Sequence, residues 1–119
     1  MLRFCGFTLE LLVEEILEQH VWPAVCRARD PVGGAWIILQ IDDHPDRPAW
    51  ICAPVSERAA HLVCQGRASA LDAVHHSATG TVELVAIHNG RAVPDRCLLC
   101  SHVTQLLATF QHERAASAA

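Results

Sequence analysis

Between Pro31 and Val55 two short apolar runs are separated by segments that cannot continue them, and this pattern restricts the fold more than any other. Trp36-Ile37-Ile38-Leu39-Gln40-Ile41 is rich in β-branched and aromatic residues and reads as a buried strand. Ahead of it stand Ala24–Asp30, a short run with Val25 and Cys26, and the turn signal Pro31-Val32-Gly33-Gly34. Together they predict a β-hairpin across the double glycine. The loop Asp42-Asp43-His44-Pro45-Asp46-Arg47-Pro48 holds no regular structure, and Trp50–Val55 follows as another short strand.

Helical signals come next. Ser56 is a good N-cap, Glu57 suits the positive end of a helix dipole, and Gly66 stops the helix after Gln65. Ser69-Ala70-Leu71-Asp72 opens a second short helix ending near His76. Thr81–Ile87 alternates as a strand and Asn89-Gly90 is a turn dipeptide. The segment 8–21 stays open between helix and strand. Leu9, Leu12, Val13, Ile16, Leu17 and Val21 recur at helical spacing with Thr8 as a cap, yet Leu12–Leu17 is also a β-compatible run. A C-terminal helix is expected over about 102–113, where Val103, Leu106, Leu107 and Phe110 form one apolar stripe and Ser101 caps the start. The Ala-rich tail beyond Arg114 is expected to fray.

At 119 residues the chain is one domain's length, with no internal repeat. Its net charge is −4 with His neutral, and every cation is Arg, unclustered. That balance disfavours binding to a phosphate backbone. No run approaches the roughly 18 apolar residues of a membrane span, and no signal peptide opens the chain, so a cytoplasmic protein is expected. In that compartment Cys5, Cys26, Cys52, Cys64, Cys97 and Cys100 are free thiols or metal ligands rather than disulfides.

Several of these blocks resemble an uncharacterised family of small bacterial and phage domains. They are Glu15-Ile16-Leu17-Glu18 ahead of Pro23, Ala28-Arg29-Asp30 before Gly34, Ile38 to Asp43, Trp50-Ile51-Cys52-Ala53-Pro54-Val55-Ser56-Glu57-Arg58, Gly66-Arg67-Ala68-Ser69, Asp72-Ala73 and Gly80-Thr81-Val82. The family shows a W-L-Y-V-P-V-S-E block and then S-L-R-D-A-F; this chain departs from it at Cys52, Ala53 and Val74. The resemblance implies an α+β fold, a small antiparallel sheet with two short helices inserted before the last strand. It also implies a core over about 12–98, and it tips residues 12–18 toward strand. It brings no activity.

Chemistry-bearing constellations are few. Cys97-Leu98-Leu99-Cys100 with His102 has a spacing that places two thiolates and an imidazole on a zinc ion, but a structural site needs a fourth ligand and no second CxxC exists. Apolar Leu98-Leu99 favours two core thiols instead. Asp42, Asp43, His44 and Asp46 read as a solvated acidic turn before they read as a metal loop. His75-His76 suits a helix C-terminus. Trp36 and Trp50 fall in core strands, and Trp22 beside Pro23 is the more exposed indole. There is no nucleophile elbow, P-loop, dinucleotide fingerprint or zinc-protease motif. The expectation is a non-catalytic protein-binding module without a cofactor, an accessory subunit or inhibitor in a bacterial or phage-related complex. It would act through a protein partner or self-association. The alternatives are a zinc-stabilised regulatory domain using Cys97, Cys100 and His102, and a small hydrolase. The C-terminal stripe is either packed on the sheet or a docking helix for the partner.

Overall fold

The structure, a computed structural model, describes residues 2–19 and 23–109. Among these residues eight strands form a curled antiparallel sheet: β1 (Leu2–Cys5), β2 (Glu10–Gln19), β3 (Pro23–Arg29), β4 (Ala35–Asp42), β5 (Ala49–Pro54), β6 (Thr81–His88), β7 (Arg91–Ala92) and β8 (Arg96–Leu99). The first six lie side by side in chain order, and β7 and β8 both pair with β6. Helices α1 (Glu57–Cys64) and α2 (Ala70–His75) connect β5 to β6. A 3-10 turn at Cys100–His102 leads into α3, residues 103–109.

The hairpin expected across Gly33-Gly34 is β3–β4, with Val25 opposite Leu39 and Ala28 opposite Trp36. Asp30 organises its turn. The carboxylate accepts the N–H groups of Val32 and Gly34 and the Trp36 indole N–H at 2.8–3.0 Å. Both helix starts follow their caps: Ser56 Oγ accepts the Ala59 N–H and Ser69 Oγ the Asp72 N–H, each at 3.0 Å. Asn89 and Gly90 both adopt positive φ, 51° and 79°, as a tight primed hairpin turn requires.

The open segment resolves as strand β2, the direction in which the resemblance tipped residues 12–18, and Thr8 is no helix cap but part of the β1–β2 turn. Two expectations change. The inserted helices precede β6, not the last strand, because β7 and β8 come after it. The core also runs past residue 98, since Val103 on α3 is fully buried. Val21, Trp22, Phe110, His112 and the tail beyond Arg114 lie outside the described residues.

Alternation along the strands divides the core in two. Ile37, Ile51, Ala53 and Val82 face one side, where Ala60, Val63, Val74 and Val103 from the helices cover them. Leu11, Val13, Cys26, Ala28, Ile38, Trp50, Cys52 and Val85 face the other side. Central strands β4 and β5 are therefore buried on both faces, which is why their sequences are nearly continuous apolar runs. β2 changes sides along its length. Leu11 and Val13 face the second cluster, and after a register shift between Val13 and Glu15 Leu17 packs on the first. Such bulges re-aim side chains and add twist, and here they accompany the curl.

Candidate functional site

Curling brings the first strand over the fifth and the first turn against the last hairpin. The Phe4 ring meets Trp50 edge-on, with centroids 5.3 Å apart and planes at 80°. At the β1–β2 turn, Asp95 accepts hydrogen bonds from the Phe7, Thr8 and Leu9 N–H groups and the Thr8 hydroxyl, all at 2.8–2.9 Å. A Cβ on Gly6 would stand 2.8 Å from the Asp95 carboxylate and 3.1 Å from Val85 Cγ1, so only glycine permits this approach. Burial pushes the Asp95 carboxyl up, but the bonds from Thr8, Leu9 and Phe7 together hold it below its ordinary value. Asp95 is free to do this because β7 and β8 form one interrupted strand. The pairing Ile87 with Ala92 and Leu84 with Arg96 differs by one residue, and Val93-Pro94-Asp95 takes up the slack.

Beneath β1 lies a cavity of about 190 Å³. β1 contributes Leu2 and Phe4, and β2 to β6 contribute one residue each: Val13, Cys26, Ile38, Trp50 and Ile87. The cavity is thus the mouth of the curl, bounded by six strands, a place where β-barrels commonly hold ligands. Burial raises the Cys26 thiol to about 11, so it is uncharged at neutral pH. Arg3, at the rim, is paired with Glu10 at 3.1 Å.

β1 also presents a free edge. Among the described residues it pairs with β2 alone. The Gly6 N–H donates to the Leu9 carbonyl at 2.8 Å, and alternation then directs Phe4 and Leu2 backbone groups toward β2. The N–H and C=O groups of Arg3 and Cys5 consequently point outward. On the outer face of β2 and β3 an ion-pair series runs toward α1: Arg29 meets Glu14 at 2.8 Å and also Glu57, while Arg27 lies 3.5 Å from Glu14 and donates to Cys64 Sγ at 3.6 Å. The Arg29 hydrogen bond holds Glu57 below its usual carboxylate value.

The residues singled out from the sequence fall elsewhere. Cys97 is exposed on β8, paired with Glu83 in register. Cys100 is buried on the helix-covered face, where its single S–H has two acceptors in reach, the Val74 carbonyl at 3.4 Å and Ser77 Oγ at 3.1 Å. The Cys97–Glu83 row lies on the opposite face from Val82, so the two thiols of the CxxC do not converge. His102 is exposed in the 3-10 turn. Among the described residues no three His, Cys, Asp or Glu side chains gather as a metal site, the loop of Asp42, Asp43, His44 and Asp46 included. In that loop Asp42 is buried and accepts the His44 N–H at 3.0 Å. Of the stripe Val103, Leu106, Leu107 and Phe110, read as either packed on the sheet or a docking face, Val103 is fully buried and both leucines pack on the helix-face core, while Phe110 lies outside the described residues.

Trp50 is buried, while Trp36 is half-buried with its indole tied to Asp30. The site at β1 was not read from the sequence, although Leu2-Arg3-Phe4-Cys5 alternates apolar and polar and a glycine ends it, which is a strand signal. Asp95 after Val93-Pro94 carried no signal beyond that of a breaker. Comparison with family models, with curated proteins and with solved structures finds no match.

Proposed function

We propose that this chain is a non-catalytic protein-binding module, an accessory subunit or inhibitor in a bacterial or phage-related complex. In this reading it takes an extended segment of its protein partner as an added strand on β1. The observation that carries it is the outward edge of β1, where the N–H and C=O groups of Arg3 and Cys5 meet no sheet partner among the described residues. Natural sheets usually protect such an edge, so an open one favours a template for pairing. Half-exposed Leu2 on the same strand adds apolar contact area. The short length of β1 limits accidental edge pairing, which fits a specific partner better than aggregation.

Arg3→Pro tests the reading. Proline removes an outward donor while leaving the β1–β2 ladder its own bonds, and the lost Arg3–Glu10 pair is exposed and of little consequence. Products of neighbouring genes are screened for binding, and the complex is followed by amide exchange. The wild type should protect the Arg3 and Cys5 amides only when bound, and the variant should lose the partner. A partner held equally by Arg3→Pro, with those amides exchanging freely, overturns strand addition.

A further inference from the structure

We propose that the mouth of the curl is a binding site for a small, uncharged, apolar ring compound of about the size of toluene or indole. The size argument comes first. An engineered cavity of about 150 Å³ with Leu, Ile and Phe walls takes up benzene. The present one, at about 190 Å³, has Leu2, Phe4, Val13, Ile38, Trp50 and Ile87 as walls.

The lining excludes charge on the ligand. The Cys26 thiol is neutral, and the one cation of the lining, Arg3, stands at the solvent-exposed rim beside Glu10. A carboxylate or ammonium placed among Val13, Ile38, Trp50 and Ile87 would lose its hydration with no opposite charge beside it. The cavity is also formed before any ligand arrives. Its walls belong to six paired strands, and the Phe4–Trp50 contact sets one side of it. A ring therefore enters without having to order a loop, which removes a common cost of binding. Access is by way of Leu2, 51% exposed, at the outer end of β1. A free molecule fits better than a side chain of an added strand, because five of the walls, Val13, Cys26, Ile38, Trp50 and Ile87, come from β2 to β6 rather than from the edge strand. The inference is independent of strand addition.

The test is a titration of the full chain with toluene and with indole, using benzoate as the charged control. It is followed through the methyl resonances of Leu2, Val13, Ile38 and Ile87. Both neutral rings should shift these methyls saturably and benzoate should not. Ile87→Trp fills the mouth from its rim and should weaken indole at least about tenfold, as pocket-filling changes of a few carbons do. Leu2→Trp, at the exposed position, is the second filled variant should Ile87→Trp not fold. Absence of methyl shifts in the folded wild type overturns the proposal. So does benzoate binding as well as toluene, or indole binding that a folded filled variant leaves unchanged.

Discussion

The two faces of this sheet are closed by different means. Three helices close one face, and Val74, Val103 and Ile51 there are all fully buried. The other face closes by curling over itself, and its seam is held by the Phe4–Trp50 contact and by the carboxylate of Asp95. Apolar burial is additive over area and tolerant of small displacements, so a face covered by helices fills to high density. A seam fixed by directed bonds at a few points leaves space between them. The cavity beneath β1 is that space. One chain thus carries a packed face that gives stability and a looser face on which binding chemistry can be built.

Adjacent residues of β4 expose the difference most strongly. Ile37 and Ile38 are both buried, at 0% and 1% exposure, but point to opposite faces. Ile37→Ala should cost about 4 kcal/mol, near the upper part of the range for such truncations, because the surrounding helix packing has contacts to lose on every side. Ile38 already borders the cavity, so it has fewer contacts to lose. Ile38→Ala should cost about 2 kcal/mol. Urea unfolding of both variants measures this. Equal costs, or the reverse order, would break the distinction between a packed and a looser face.

How much of this was legible in the sequence depended on the range of the interactions. Ser56, Ser69 and the Asn89-Gly90 turn act on neighbours within a few residues, and the elements they begin or join form where expected. The run Trp36–Ile41 reads as strand because it is buried on both faces, and such burial leaves a composition signal. β2 did not read cleanly, since its register shifts break the two-residue period and leave apolar spacings that mimic a helix. The Asp95 contact spans 86 to 88 residues of sequence, and no local pattern encodes it. The reading of the CxxC as two core thiols holds for only one of them, for the same reason: Cys100 is buried beside Val74, whereas Cys97 is exposed beside Glu83 on the other face of the sheet. The apolar stripe at Val103, Leu106 and Leu107 was correctly visible as a stripe, but spacing alone does not say whether it meets its own sheet or another chain.

Asp95→Asn tests the seam itself and should have the next largest effect. The amide keeps an acceptor oxygen but loses the charge that four donors address. A loss of about 1 kcal/mol is expected, below the range for buried bonds to charged groups because solvent reaches the site. Its pH dependence has a definite sign. Asp95 titrates lower in the folded chain than unfolded, so its contribution is present above the unfolded carboxyl pKa, about 3.9, and is lost as pH falls through the folded value. Thermal midpoints of wild type and Asp95→Asn should therefore differ at pH 7 and converge in acid. Gly6→Ala should reproduce the neutral-pH loss by steric means without that convergence. A difference between wild type and Asp95→Asn that persists unchanged into strong acid would remove Asp95 as the seam's fastening.

The smallest expected effect has the opposite sign and separates Asp95 from its neighbour Glu83. Burial raises the Glu83 carboxyl above its ordinary value, Asp95 raises it further, and the hydrogen bond from Cys97 opposes them. An acid whose folded pKa is raised destabilises the fold once ionised. That penalty is absent below the unfolded pKa, about 4.3, and develops as pH rises through the folded value. Glu83→Gln keeps an oxygen for the Cys97 thiol and removes the charge, so it should stabilise the chain at pH 7 by about 0.5 kcal/mol and do nothing in acid. The gain should shrink in an Asp95→Asn background, because the repelling carboxylate is then gone, and a double-mutant cycle reads that coupling directly. Together the two carboxylates make opposing demands on one edge of the curl: Asp95 needs its charge to hold the turn, whereas Glu83 is more comfortable without one. If Glu83→Gln destabilises the chain at pH 7, or its gain is indifferent to Asp95, the two carboxylates do not share a field, and the seam rests on Asp95's hydrogen bonds alone.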